Sequence, residues 1–302
     1  MTDRPATIGG RVAGKRVVIT GSSKGLGRAF AVALAADGAR VVVNGTDGGA
    51  VSSVVEEITG AGGTATGLVG SVADDAVAAA LVERCVEAYG GIDVAIPNAA
   101  IVHTVPFVDT SPEVFDQTVA VNLRGTWSVC QHAARAMRDA GTGGHLLLVS
   151  SRMAVATGGL RFAAAYAATK GAVMGLLYAL SGELAPYGVR VNALSPVALS
   201  GTTVPAVQEL QAEQRAAGQP PASAGDMGLH PPEAVAPLVV HLCSDQAGDL
   251  RNQMIRFDGR RLALWAHPRE ALVIDRPDWT PASVAANFPG HQEPATHLVH
   301  RD

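Results

Sequence analysis

The chain has 302 residues and a formal net charge of −4, with no long basic run, which argues against nucleic acid as a partner. Hydrophobic residues make up 48% and aromatics only 4%, so a large core is within reach but a base-stacking platform is not expected. Cys85, Cys130 and Cys243 lie far apart with no Cys-x-x-Cys pair, and read as buried reduced thiols of a cytoplasmic protein. The N-terminal segment lacks the apolar run of a secretory signal, and no apolar stretch reaches ~20 residues without Gly or charge, so no membrane span is expected. No HExxH or Cys/His cluster suggests a metal site; His297 and His300 read as part of a frayed tail.

In chain order, RVVIT (16–20) reads as a buried strand, GSSKGLG as a loop, and RAFAVALAADG as a helix. A strand follows at 39–44, a helix at 50–60, a strand in ATGLVG, a helix at 74–89 and a strand in DVAIPN. One long helix is expected over 112–138, then a strand at 145–150, a helix over 163–185 and a strand at 190–195. Strands alternating with helices predict an α/β fold, a doubly wound parallel sheet of the Rossmann type with helices on both faces. Composition is even over 11–260, so this is read as one domain, with a Pro-punctuated C-terminal extension at 261–302. Residues 197–232 are rich in Gly, Pro, Ala and Gln and follow the carboxyl end of a strand, where such sheets bind ligands. They read either as a substrate lid, with a short helix at 204–217, or as an idle surface loop. QMIRFDG is the last expected strand, and Thr280 stands as an N-cap before a short helix in TPASVAANF.

Three glycines, Gly21, Gly25 and Gly27, follow the first strand and open a helix. Backbone without Cβ atoms can approach a pyrophosphate, and a helix N-terminus offers N–H donors and partial positive charge. Ser23, Lys24 and Leu26 share this loop and are candidate cofactor contacts with the glycines. The second strand ends Asn44-Gly45-Thr46, where NAD-binding folds often place an acid for the ribose hydroxyls. Without that acid nothing repels a 2′-phosphate, and Lys24 could meet one as a point charge, so NADP is preferred over NAD. Arg40 is a poorer candidate, and a solvated Lys24 is the plain alternative.

Tyr166 and Lys170 are four apart in the Ala-rich run AAAYAATKGAV, on one face of a helix. A free phenol has a pKa of about 10, and a neighbouring ammonium would lower it. Tyr166 could then exchange a proton with an alcohol or ketone while a hydride moves to or from a nicotinamide.

Taken together, TGSSKGLG, PNAA (97–100), VNLRG (121–125), VSS (149–151), YAATK and VRVNALSP (189–196) resemble the short-chain dehydrogenase/reductase family. The resemblance implies Tyr166 as acid/base, Lys170 on the nicotinamide ribose, and Asn122 ordering a water in a proton relay. It implies Asn98 and Ala99 on the cofactor floor and Pro196 along the nicotinamide. Ser71, with Val72 beside it, stands where an adenine-contacting Asp is frequent. The family's carbonyl-polarising serine commonly lies thirteen residues before the tyrosine, which here is Met153. Two extra residues in the intervening loop would give the role to Ser151, with Ser150 as second choice. Members are usually dimers or tetramers, so a homodimer or homotetramer acting on a small-molecule substrate is expected. GLGRAFAVALAADGARVVVN, PEAVAPLVVHLCSD and the tail are further similar to the hydroxyacyl-CoA dehydrogenase domain of the type-two peroxisomal multifunctional enzyme. That implies acyl-CoA, steroid or polyketide-like alcohols as substrates. The other readings are a cyclase, dehydratase or isomerase on the same scaffold, and a catalytically silent nucleotide-binding protein.

Overall fold

In a computed structural model, residues 10–155, 162–201, 203–268 and 273–287 are described. Two compact units result, one running to Trp265 and one from Ala266.

The first unit is built on strands β1 (Arg16–Ile19), β2 (Arg40–Gly45), β3 (Thr64–Val69), β4 (Val94–Ile96), β5 (Gly144–Val149), β6 (Val189–Pro196), β7 (Met254–Phe257) and β8 (Leu262–Leu264). Their order is β3-β2-β1-β4-β5-β6-β7-β8. All neighbours are parallel except β7 and β8. The order reverses between β1 and β4, which puts the ligand crevice of such a sheet above their carboxyl ends. The helices are α1 (Gly25–Ala36), α2 (Gly48–Gly60), α3 (Asp75–Tyr89), α4 (Pro112–Val119), α5 (Gly125–Ala140), α6 (Ala164–Glu183), α7 (Val204–Ala216) and α8 (Ala236–Cys243).

Successive side chains of a strand face opposite sides, and the central strands are apolar on both. Val41, Val43, Leu147 and Val149 join Phe30 of α1, Val54 and Ile58 of α2 and Val239 of α8 in one buried layer. Val42, Leu146 and Leu148 join Leu81 of α3, Val129 and Met137 of α5 and Val173 and Leu177 of α6 in the other. Asp47 and Asp74 cap α2 and α3 by accepting from the N–H groups of Ala50 and Ala76, both at 3.0 Å. The three cysteines are buried and free, and burial pushes each thiol up to about 12, which makes them poor nucleophiles.

Two elements differ from the sequence expectation. The helix expected over 112–138 is interrupted by a π-helical turn, Ala120–Arg124, between α4 and α5. Such turns lodge one extra residue without ending a helix, so apolar periodicity barely registers them. Strand β8 adds an antiparallel edge through the register Ile255↔Leu264, Arg256↔Ala263 and Phe257↔Leu262. The chain therefore keeps pairing past residue 260, and β8 rather than β7 carries the open edge.

The loop after β6 is closed at its base by a bridge between Ala198 and His230, with the Leu199 N–H donating to His230 O at 2.8 Å. Inside it, Gln211 Nε2 donates to Ala222 O and Gln214 Oε1 accepts from the Ala222 N–H, both at 2.8 Å. The second unit contains helix α9 (Pro281–Asn287), where the Thr280 hydroxyl oxygen accepts from the Ser283 N–H at 3.1 Å. Among the described residues no helix is long and apolar enough to cross a membrane, and no cluster of His, Cys, Asp or Glu could hold a metal.

Candidate active site

Chain direction puts the glycine loop above the carboxyl end of β1, between β1 and α1. Gly21 has φ 61°, and a Cβ on it would come within 2.8 Å of Ala99 Cα, so only glycine lets the loop lie this close to the segment after β4. Ser22 is buried; its Oγ donates to Ile19 O at 2.7 Å and accepts from the Asn44 N–H at 2.9 Å. Gly25, Leu26 and Gly27 form the first turn of α1. Lys24 is the N-cap and gives it no side-chain hydrogen bond, so the first N–H groups of α1 stay open to an anion. The Lys24 side chain is exposed, without a hydrogen bond or ion pair among the described residues.

At the end of β2, Gly45 is buried, and a Cβ there would collide with Ser23 Oγ. Ser23 thus occupies the space an acidic side chain at 45 would enter. Asp47, the nearest acid, is committed to capping α2. Arg40 opens β2, at the opposite end of the sheet. The Asn44 side chain is buried, with Oδ1 accepting from the Gly21 N–H at 3.2 Å and Nδ2 donating to Leu68 O at 3.1 Å and Gly70 O at 3.0 Å. It ties the ends of three strands together from behind the site.

The floor is equally pinned. Asn98 Nδ2 donates to Thr20 O at 2.9 Å and Gly21 O at 3.1 Å. Thr20 Oγ1 accepts from the N–H groups of Asn98 and Ala99, both at 3.0 Å. Thr20 escaped the sequence reading, although it is the last polar residue before the glycine loop. Ser71 Oγ accepts from the Ala73 N–H at 3.3 Å, and Val72 is buried against Gly125, where a Cβ would lie 2.7 Å from Val72 Cγ2. Pro196 ends β6, opposite Phe257.

Tyr166 and Lys170 lie on the buried face of α6, beside the end of β5. Lys170 is 1% exposed; its Nζ donates to Val149 O at 2.7 Å and stands 5.7 Å from the Tyr166 ring centroid. Burial pushes its pKa down to about 8. An ammonium carries three donors, so two remain for a ligand such as ribose hydroxyls. Ser151 Oγ accepts from the Met153 N–H at 3.2 Å, and its hydroxyl acts on the Tyr166 phenol, favouring the phenolate. That backbone N–H occupies a lone pair and leaves the hydroxyl hydrogen free to point at the phenol oxygen. Ser150 Oγ instead donates to Lys170 O at 3.0 Å in the interior.

The Tyr166 pKa is raised, against the sequence expectation that Lys170 lowers it. Burial is the larger cause, and the influence of the Ser151 hydroxyl opposes it. The spacing of charges is visible in a sequence, but the loss of solvent around the phenol is not. Asn122 sits in the π-helical turn, buried. Its Oδ1 accepts from the Ile101 N–H at 2.8 Å, and its Nδ2 donates to Ile101 O at 2.9 Å and Thr169 Oγ1 at 3.3 Å. Thr169, also missed from sequence, donates in turn to Tyr166 O at 2.8 Å. Around this cluster Arg152 and Phe162 are exposed and His103 and Met153 half-buried; Leu160 lies outside the described residues.

A family model described as short chain dehydrogenase matches residues 15–213, well over half the chain. The chain belongs to the short-chain dehydrogenase family. Among short-chain dehydrogenase relatives, an L-rhamnose 1-dehydrogenase (NAD(P)(+)) of Azotobacter vinelandii is 35% identical over 250 residues, 81% of this chain and 95% of its own. A short chain dehydrogenase structure from Mycobacterium avium superposes with a TM-score of 0.77 at 34% identity, covering 92% of this chain and 94% of that one. A structure from Beutenbergia cavernae, solved with NADP bound at low occupancy as a candidate NAD(P)-dependent gluconate 5-dehydrogenase, gives 0.71 at 32% identity, covering 82% and 96%.

Proposed function

We propose that this short-chain dehydrogenase interconverts a secondary alcohol and a ketone with NADP, in preference to NAD. The observation that carries the reading is Ser151, Tyr166 and Lys170 gathered at the end of β5, with the Ser151 hydroxyl acting on the phenol and the Lys170 ammonium held by Val149 O. The residues suit the nucleotide: open N–H groups on α1, a Lys24 unpartnered among the described residues, a position 45 crowded by Ser23, and a buried ammonium with two donors unused. When bound, NADP supplies or accepts the hydride. Ser151 holds the carbonyl oxygen through its free hydroxyl hydrogen, where negative charge grows as the ketone is reduced. Tyr166 delivers the proton to that oxygen in reduction and removes it in oxidation. Lys170 grips the ribose, and its positive charge favours the phenolate when oxidation needs a base. Asn122 positions the segment after β4 at Ile101 and the start of the proton relay. The loop at 197–232 acts as the substrate lid, and the relatives' names put hydroxylated small molecules among the substrates to try. Exposed Phe115 on α4 and Trp127 on α5 suit assembly into a homodimer or homotetramer.

Fluorescence titration with NADPH and NADH tests the cofactor. NADPH is expected to bind more tightly, and Lys24→Ala to weaken it about tenfold while leaving NADH unchanged, the usual size of one charge-assisted contact. Equal affinities remove the NADP preference, and binding of neither removes the oxidoreductase reading.

Engineering of the preference is expected to need two changes. Gly45→Asp alone should leave NADH binding poor, because its Cβ meets Ser23 Oγ. Gly45→Asp with Ser23→Gly should invert the ratio of kcat/KM for the two cofactors. If the single change inverts it as fully as the pair, Ser23 does not shape the site.

A further inference from the structure

Resting on the alcohol and ketone reading above, we propose that His103 is a specificity-determining residue that bonds a second oxygen on the substrate. The protein then prefers hydroxyketones and vicinal diols to plain ketones and alcohols.

His103 lies in the segment that leaves β4 and runs over the carboxyl ends of the strands. Both flanks of it are tied to elements of the catalytic cluster. On one side, Ile101 exchanges two hydrogen bonds with the Asn122 amide, at 2.8 and 2.9 Å. On the other, the Val105 N–H donates to Phe162 O at 2.8 Å. Phe162 stands four residues before Tyr166 and is held at φ 56°, a conformation that side chains other than glycine rarely adopt. The strap is therefore fixed between Asn122 and the approach to α6.

Within the strap the neighbours Ile101, Val102 and Val105 are apolar, and Thr104 is exposed. Only His103 presents a shielded polar group. Its Nε2 is buried and has no hydrogen-bond partner among the described residues. Folded proteins rarely leave such a nitrogen unpaired, and where they do, a ligand or an ordered water usually completes it. An imidazole nitrogen donates or accepts according to tautomer, so a hydroxyl or a carbonyl oxygen satisfies it equally. The reacting oxygen already has Ser151 and Tyr166. A partner supplied by the substrate is then a different oxygen, borne on the same small molecule.

Acetoin and butanone share a carbon skeleton and differ by one hydroxyl, so they serve as probes with NADPH. His103→Leu is expected to raise KM for acetoin about tenfold or more and change KM for butanone less than about twofold, as when a polar pocket loses its partner. The kcat on acetoin should stay within about threefold. His103→Gln, which keeps a donor and an acceptor, should recover part of the affinity. As a readout free of turnover, the imidazole signal of histidine-labelled protein that disappears in His103→Leu should shift on adding acetoin and not butanone. Equal effects on both compounds, or no shift with acetoin, overturn the proposal and leave Nε2 to a structural water. A wild-type protein that oxidises NADPH with neither compound removes the ketone-reducing reading instead, and the acetoin shift still decides His103.

Discussion

Tyr166→Phe is expected to lower kcat for ketone reduction by about 10²–10⁴-fold, the usual weight of a positioned proton donor. NADPH affinity should change by less than about twofold, because the ring and its packing on α6 remain. The phenol is buried, and burial holds its pKa above the ordinary tyrosine value against the opposing influence of the Ser151 hydroxyl. It therefore keeps its proton at neutral pH, as an acid for reduction must. The opposite direction needs the phenolate, so alcohol oxidation should rise with pH where reduction does not. Ser151→Ala should cost on the order of 10²-fold in kcat, since it removes the donor facing the developing alkoxide. Stopped-flow hydride transfer with NADPH and a reducible ketone measures both. A Phe variant that keeps wild-type kcat would remove Tyr166 from the chemistry, whatever its surroundings.

Acid should destabilise the protein through His145 well before its carboxylates protonate. This side chain opens β5, is 2% exposed, and accepts at Nε2 from Asn192 Nδ2, 3.2 Å away. Its Nδ1 is buried without a partner among the described residues. Burial, with a smaller contribution from the Arg190 charge, pushes its pKa down to about 3. The unfolded chain binds that proton at about pH 6.5, so stability is fully present above this and falls as pH drops toward 3. The slope is about 1.4 kcal/mol per pH unit, hence about 2 kcal/mol lost between pH 6.5 and pH 5. Urea unfolding at several pH values should show this decline in the wild type. His145→Gln should be less stable at pH 7.5 yet nearly flat down to pH 5. A variant as acid-sensitive as the wild type would place the titration elsewhere.

Much of the architecture was legible because the relevant signals are local. The run VVV at 41–43 is apolar on both faces, as a strand between two helical layers must be. YAATK shows its spacing directly, and the doubled serine after HLLLV marks the end of β5 where Ser150 and Ser151 stand. What escaped depends on the third dimension. The segment PEVFDQTVAVNLRGTWSV keeps helical periodicity through the π-helical turn, so nothing marks the extra residue. The strand LAL is three residues long, and exposed Leu262 and Leu264 gave no inward pattern to read. The hydrogen bonds of the Asn44 amide to Gly21, Leu68 and Gly70 join three strand ends that are far apart in the sequence. The missing acid at Gly45 was plain from sequence, whereas the serine filling its place was not.

The π-helical turn makes this stretch intolerant of changes in length. Deleting one residue from 120–124 would restore a regular ladder of backbone bonds and give a better helix by local measures. It would also rotate everything downstream by about 100°, the step per residue of an α-helix. Met137, now sealed beneath Gly144, would swing toward solvent, or Asn122 would lose its hold on Ile101. Substitutions here can be absorbed one at a time; an insertion or deletion cannot, because the irregularity itself keeps the two halves of the long helix in phase with different neighbours.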